Sequence, residues 1–398
     1  MSNSIYNSDA NTQNTSKIVE FIYRNQDVSR IKLAHALNIK PATVTNIIAS
    51  LIKEQLVFET GDQIRELKGS GRSRKLLSIN PQYAFFIGIE FNMTGIMIAA
   101  TNSIGNCLYQ NSIKTSEYST NQINHVIIRL IQGCINHLGS QTCSGIGIAI
   151  PGHFDSLHQT VISNNKIWEH FNLNEIKNVF SIPIFIQNNI ECMALEEYLF
   201  DPHNSPDKFL FIHVGPGLFC SFFDSLHITL PKGNYIGEIG HTVVDRTGSF
   251  CECGKRGCLQ TYISDSWLIE TAKYLYEHSS NTVLRNLVSS TEEITLDTVI
   301  AAYTLGDSFI IDKIEIGLSL LAISIANTLI IYDSQKIFIN SQLLNHLDFK
   351  EKLIKHIHEQ FEFISTDDQL NIEVLAFDLY RGAQAACALA AYHTIIRT

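Results

Sequence analysis

The chain has 398 residues, 45% of them hydrophobic and 17% charged, with a formal net charge of −10; that length and apolarity predict two or three folded domains and exclude a disordered chain. No apolar run follows a basic start, so no secretory signal is expected, and the nine cysteines, an odd number, suit a reducing cytoplasm better than a disulfide framework. Residues 1–80 carry 11 Lys and Arg against 7 Asp and Glu, net +4, and the remainder 18 against 32, net −14, which assigns any nucleic-acid contact to a small basic N-terminal module.

That module, residues 1–80, reads as a winged helix-turn-helix. Ile18, Phe21 and Ile22 mark one face of a first helix over about 15–24. Ser29 is placed to cap a second helix containing Leu33, Ala34 and Leu37, and Asn38-Ile39-Lys40 makes the turn. Pro41 then suits the first position of a third helix, where Val44, Ile47, Ile48 and Leu51 form a buried stripe. Its opposite face carries Thr43, Thr45, Asn46 and Ser50, short polar side chains suited to base edges in a major groove, with Arg30, Lys40 and Lys53 placed for phosphates. Two wing strands are expected at 56–59 and 75–79. Between them Arg72 and Arg74 lie in a basic loop suited to a minor groove. A three-helix module that binds another protein has the same periodicity and stays open as an alternative.

From Tyr83 the pattern changes to strands with intervening helices, α/β in class. A hairpin is expected over 85–100, a helix over 121–138, a buried strand over 144–150 ended by Pro151-Gly152, a strand over 182–187, a helix over 191–199 and a strand restarting at 208–214. The apolar stretch Ile316 to Tyr332 is interrupted by Ser319, Ser324, Asn327 and Thr328 and reads as a buried helix too short to span a membrane. The expected division is 81–200 for a first lobe and 201–398 for a second.

One motif carries specific chemistry. His241, Cys251, Cys253 and Cys258 follow the spacing His-x9-Cys-x-Cys-x4-Cys, with glycines at the tight turns. A Cys3His set at this spacing reads as a closed, structural Zn2+ site. Preceded by Gly237-Glu238-Ile239-Gly240, it resembles the signature of the ROK family, whose members are sugar kinases and sugar-responsive repressors. The resemblance runs over nearly the whole chain. It implies a two-lobed actin, hexokinase and Hsp70-like body with a ligand cleft between the lobes, behind a winged domain of the kind that ROK repressors carry and ROK kinases lack.

The resemblance also exposes departures. Where the kinases have Asp-x-Gly-Gly-Thr, this chain has Glu90-Phe91-Asn92-Met93-Thr94. Where they have Gly-Thr-Gly-x-Gly-x-Gly, it has Gly215-Pro216-Gly217-Leu218-Phe219-Cys220-Ser221. Glycines there let backbone amides approach phosphate, and several are gone. The kinases' catalytic aspartate, which accepts the sugar hydroxyl proton, is replaced by Asn189, an amide with no basic site near neutral pH. No enzymatic activity is therefore expected. The resemblance implies sugar contacts by Asn188, Asn189, Glu238, His241 and Gln260, the last standing where the family has a glutamate. Trp168 and the Ala-rich stretch 385–391 read as packing. The expectation is a cytoplasmic, homodimeric, sugar- or sugar-phosphate-responsive repressor that binds operator DNA. A ROK kinase with an appended DNA-binding domain, and a regulator that has lost its sugar, are the alternatives.

Overall fold

Helical spacing at the N-terminus closes into α1 (Ala10–Asn25), which buries Ile18, Val19, Ile22 and Tyr23. The structure, a computed structural model, describes residues 10–64, 74–91, 95–139, 141–155, 158, 160–162, 168, 170–228, 237–363 and 370–397. After β1 (Val28–Ser29) comes α2 (Arg30–Ala36), capped by Ser29, whose Oγ accepts the Lys32 N–H at 3.2 Å. Asn38 turns the chain with φ of 52°, a left-handed conformation that asparagine tolerates. α3 (Pro41–Lys53) then buries Val44, Ile47, Ile48 and Leu51. β2 (Val57–Ile64) and β3 (Arg74–Ile79) pair antiparallel, and β1 lies on the other side of β3. The first wing strand extends past the expected Glu59, because a register shift between Glu59 and Gln63 lets pairing resume.

The next sheet is built from β4 (Phe85–Phe91), β5 (Gly95–Asn102) and β6 (Cys107–Lys114), then α4 (Ile123–Leu138) and β7 (Cys143–Ile150). The short hairpin β8 (His153–Asp155) and β9 (Thr160–Ile162), α5 (Leu173–Val179), β10 (Ile184–Asn188) and α6 (Asn189–Phe200) follow. Strand order is β10-β7-β4-β5-β6, with β4, β7 and β10 parallel. β4 is buried along its whole length, as befits a central strand covered on both faces.

The second sheet repeats the plan of a hairpin followed by parallel strands. β11 (Lys208–Val214) and β12 (Leu218–Asp224) form the hairpin; α7 (Gln260–Ile263), α8 (Asp265–His278), α9 (Leu284–Leu287), α10 (Leu296–Thr304) and α11 (Ser308–Ile331) intervene. β13 (Ile337–Ser341), α12 (Leu347–Glu359) and β14 (Ile372–Leu375) complete the order β12-β11-β13-β14. The last helix is α13 (Arg381–Ala391).

Contacts divide the chain into two compact units, Met1–Ser205 with Leu379–Thr398, and Pro206–Asp378. The winged module thus packs into one unit with the first lobe, and the final twenty residues, expected in the second lobe, belong to the first. The reason is steric. A Cβ on Gly88 of β4 would lie 1.9 Å from the Ala383 carbonyl oxygen, and one on Gly147 of β7 would lie 1.8 Å from that of Ala386, so glycine strands and an alanine-rich helix meet backbone to backbone.

α11 also differs from expectation. Asp307 caps it by accepting from the Phe309 and Ile310 N–H groups, and the helix runs 24 residues, starting eight residues before the apolar stretch. By length and composition alone it could cross a membrane, but 44% of its most apolar stretch is buried in the protein. It is a core helix through Ile310, Ile314, Leu318 and Leu321, with Ile316, Ile330 and Ile331 exposed, and not a fully buried one.

Candidate functional site

The metal-ligand candidates converge. The donor atoms of His241, Cys251, Cys253 and Cys258 all lie within 4.8 Å of one another, with Cys251 Sγ 3.5 Å from His241 Nδ1 and Cys253 Sγ 3.6 Å from Cys258 Sγ. Tetrahedral bonds of about 2.3 Å require edges of roughly 3.8 Å, so the set fits a four-coordinate ion. A tight turn shapes it: Cys251 N–H donates to the Lys255 carbonyl and Gly254 N–H to the Cys251 carbonyl, at 2.8 and 2.9 Å. Gly257 has φ of 68°, and a Cβ there would lie 1.4 Å from the Asp245 carbonyl oxygen, so only glycine closes the loop. Burial pushes the Cys258 thiol up to about 12. At Cys253 burial is outweighed by the Lys255 N–H and the neighbouring thiols, which hold its thiol below the ordinary range.

With Nδ1 toward the thiols, His241 points Nε2 at Glu238, 3.9 Å from its Oε2. That is too long for a hydrogen bond. Gln260, expected at the sugar, turns its amide nitrogen to Cys251 Sγ (3.4 Å) and Glu252 Oε1 (3.1 Å); it buttresses the metal loop. In the other unit, Asn188 spends its side chain on the scaffold, donating to the Gly152 carbonyl at 2.8 Å and accepting the Ile190 N–H that opens α6 at 2.9 Å. Asn189 donates to Glu90, a carboxyl that burial pushes up to about 7. Sequence reasoning missed this partnership. The Glu90 carboxyl also fills the space over Gly382 of the distant segment Tyr380-Arg381-Gly382, where a Cβ would lie 1.9 Å from its Cδ.

Of the two phosphate-loop positions, Asn92 to Thr94 lie outside the described residues. The second is the β11–β12 turn, closed by Gly215 N–H donating to the Gly217 carbonyl at 3.1 Å. Side-chain rings stand beside both of its glycines: a Cβ on Gly215 would meet His213 Nε2 at 2.7 Å, and one on Gly217 would meet Phe219 Cε2 at 2.9 Å. The Asp265 N–H donates to the Gly215 carbonyl at 2.8 Å. Its own carboxyl is buried, with Oδ1 unpartnered among the described residues and its pKa pushed up by burial to about 7. Trp168 packs on Phe91 and Phe171, centroids 4.5 and 5.5 Å away, so it belongs to the core.

The sequence profile of the ROK family matches residues 86–391. The chain belongs to the ROK family. It is similar to the xylose repressor of Caldicellulosiruptor bescii, 26% identical over 366 residues that span 90% of each chain. It is also similar to the DNA-binding transcriptional repressor Mlc of Escherichia coli, 23% identical over 387 residues, 94% of this chain and 92% of Mlc. A solved ROK family transcriptional regulator homologous to Mlc superposes with a TM-score of 0.76 at 21% identity, covering 97% of this chain and 98% of that one. The ROK glucokinase of Streptomyces griseus, solved with glucose and AMPPNP, gives 0.63 at 21% identity over 77% of this chain and 99% of its own. The ROK fold is thereby shown.

In this ROK chain the N-terminal module presents α3 as expected, with Thr45, Asn46 and Ser50 exposed and Thr43 half-buried. Thr45 Oγ1 donates to the Pro41 carbonyl at 2.9 Å and Ser50 Oγ to Glu54 at 2.8 Å. Lys40 is exposed. Arg30, expected to reach phosphate, instead donates to Glu59 of the wing at 2.9 Å, a carboxylate that also receives Lys75 and is held below its ordinary pKa range by both. Arg72 and the side chain of Arg74 lie outside the described residues. α1 fastens the module to the lobe: Tyr23 donates to the Ser103 carbonyl at 2.6 Å, Tyr198 of α6 donates to Glu20 at 2.7 Å, and the Arg24 guanidinium lies 4.0 Å over the Tyr198 ring and donates to the Ser205 carbonyl at 2.7 Å.

Proposed function

We propose that this protein is a sugar-responsive, DNA-binding transcriptional regulator of the repressor type, acting on a carbohydrate uptake or catabolic operon and performing no phosphoryl transfer. The observation that carries the reading is α6. Its first residue is Asn189, at the position of the family's catalytic aspartate, and its last turn holds Tyr198, which grips Glu20 and Arg24 of the winged module. Twelve residues of helix span about 18 Å, so one rigid element joins the expected sugar end of the lobe to the DNA-binding module. A ligand that bound two settings of α6 unequally would bias DNA affinity.

We assign the sugar hydroxyls to Glu238, His241 and Asn189, with Asn188 and Gln260 as positioning residues for α6 and the metal loop. An oxygen about 2.8 Å from both Glu238 Oε2 and His241 Nε2 would subtend about 90°, an ordinary angle for a hydroxyl that donates to one and accepts from the other. Structural zinc would hold His241 through Nδ1 and present Nε2 outward. Loss of phosphoryl transfer is supported by Asn189 in place of a base, by rings beside both glycines of the second phosphate turn, and by buried acid at Glu90 and Asp265. Thr43, Thr45, Asn46 and Ser50 are proposed to face bases, with Lys40, Arg72 and Arg74 on the backbone or minor groove and Arg30 bracing the wing. A homodimer reading two half-sites is supported by the exposed Ile330 and Ile331 of α11, and a cytoplasmic location by nine free cysteines.

The test is a titration of DNA that the protein itself selects from a random pool, with and without a panel of pentoses, hexoses and their phosphates. One sugar should change affinity by about tenfold, a typical coupling, and Glu238→Ala should keep DNA binding while losing that response. A full response in the variant would remove Glu238 from the sugar site.

A further inference from the structure

The unit Pro206–Asp378 carries an open surface pocket of about 360 Å³ that none of the metal or sugar residues lines, with Ser249, Arg256, Lys313 and Ile316 exposed on it. Its walls come from the metal loop at Ser249 and Arg256, from α8 at Trp267 and Thr271, and from α11 at Lys313 and Ile316. The volume falls at the lower end of the range for small-molecule sites, about 300–1,000 Å³.

The lining specifies an anion. Arg256 and Lys313 both border the cavity, and neither has a carboxylate partner among the described residues. The Arg256 guanidinium lies 3.5 Å over the Phe250 ring and donates to the Gly248 carbonyl at 3.4 Å; the Lys313 ammonium lies 5.2 Å from the Phe309 ring. Two such cations on one cavity are conspicuous in a body that carries 18 Lys and Arg against 32 Asp and Glu after residue 80. The nearby acid is already engaged: Asp245 accepts from Thr247 Oγ1 and from the Tyr262 hydroxyl, each at 2.8 Å. Those two bonds brace the wall and turn its carboxylate to protein donors. The hydroxyls of Ser249 and Thr271 make no hydrogen bond within the described residues, so they can donate to or accept from a ligand. Trp267 and Ile316 add apolar lining on the α8 and α11 sides.

We propose that this cavity is a second effector site, for a compact phosphorylated polyol. The phosphate would lie on Arg256 and Lys313, charge-assisted by both, and the polyol hydroxyls on Ser249 and Thr271. The site is independent of the sugar contacts assigned to Glu238 and Asn189.

The experiment is isothermal titration of the zinc-loaded 398-residue chain with glucose 6-phosphate, and in separate arms with glucose and with inorganic phosphate. Glucose 6-phosphate should bind saturably and more tightly than inorganic phosphate, weaken at least tenfold in Arg256→Gln and in Lys313→Gln, and be unaffected by Glu238→Ala. Lys313 lies on α11 and is not part of the metal loop, so its variant decides the matter where Arg256→Gln loses zinc. Absence of saturable binding, or undiminished binding in Lys313→Gln, overturns the site. Loss in Glu238→Ala instead returns the ligand to the sugar site and overturns it equally. Equal affinity for inorganic phosphate overturns the polyol half of the assignment.

Discussion

Replacing Glu90 with glutamine should stabilise the protein at pH 8 and change it little at pH 5. The side chain is 5% exposed, and burial, offset in part by the Asn189 hydrogen bond, raises its pKa from 4.5 to about 7. The folded chain therefore holds this proton more tightly than the unfolded chain does. The stabilisation is complete below about pH 4.5 and is lost as pH rises through 7. A span from 4.5 to about 7, at roughly 1.4 kcal/mol per tenfold change in proton affinity, is worth about 3 kcal/mol. Glutamine is neutral at every pH, and its carbonyl still accepts from Asn189, so the variant should gain about 3 kcal/mol at pH 8 and less than about 1 kcal/mol at pH 5. Urea unfolding is the assay. Trp168, buried against Phe91 at the end of β4, reports on the right unit once Trp267 is replaced by Phe. An equal gain at both pH values, or a loss at pH 8, would mean that Glu90 is ionised at neutral pH. Glu90 would then no longer count as a neutral buried acid in support of lost phosphoryl transfer.

One zinc per chain is expected by elemental analysis; Cys253→Ala should lose it and lower the melting temperature, whereas an unchanged melting temperature after chelation would exclude a structural ion. Asn189→Asp should not create sugar-dependent ADP release, because the restored carboxylate would face Glu90 and both glycines of the β11–β12 turn still carry rings beside them; turnover by this variant above the unmodified protein would contradict that. Thr45→Ala and Asn46→Ala should each cost about 1–3 kcal/mol of discrimination between selected and random DNA, and equal weakening on both DNAs would mean that α3 touches only the backbone.

Local chemistry was legible in the sequence. The Ser29 cap, the buried stripe of α3, the strand at 208–214 and the Cys3His spacing each depend on residues within one short segment, seventeen positions at most from His241 to Cys258, and each is found where expected. Partnerships between distant segments were not legible. The glycines of β4 and β7 and the alanines of α13 are visible as runs, but nothing in either run says that they meet. Arg30 and Gln260 show the same limit at the site: both are polar residues at plausible contact positions, and both are engaged by neighbours, Glu59 in one case and Glu252 with Cys251 in the other. α11 is the expected core helix, but its earlier start and exposed face were not legible, because an apolar run reports its hydropathy and not which of its faces is covered.

On the proposed function, the kinase-like lobe passes its ligand state to the N-terminal module through α6. Tyr198→Phe tests it most directly, since it removes the hydroxyl that donates to Glu20 at 2.7 Å and keeps the ring beneath Arg24. A hydrogen bond to a carboxylate contributes about 1.5–3 kcal/mol, or roughly 10–150-fold. DNA affinity is measured for the wild type and the variant, with and without the effective sugar. Sugar-free affinity should stay within about threefold of wild type while the sugar response loses most of its magnitude; a response of wild-type size in Tyr198→Phe refutes a route through α6.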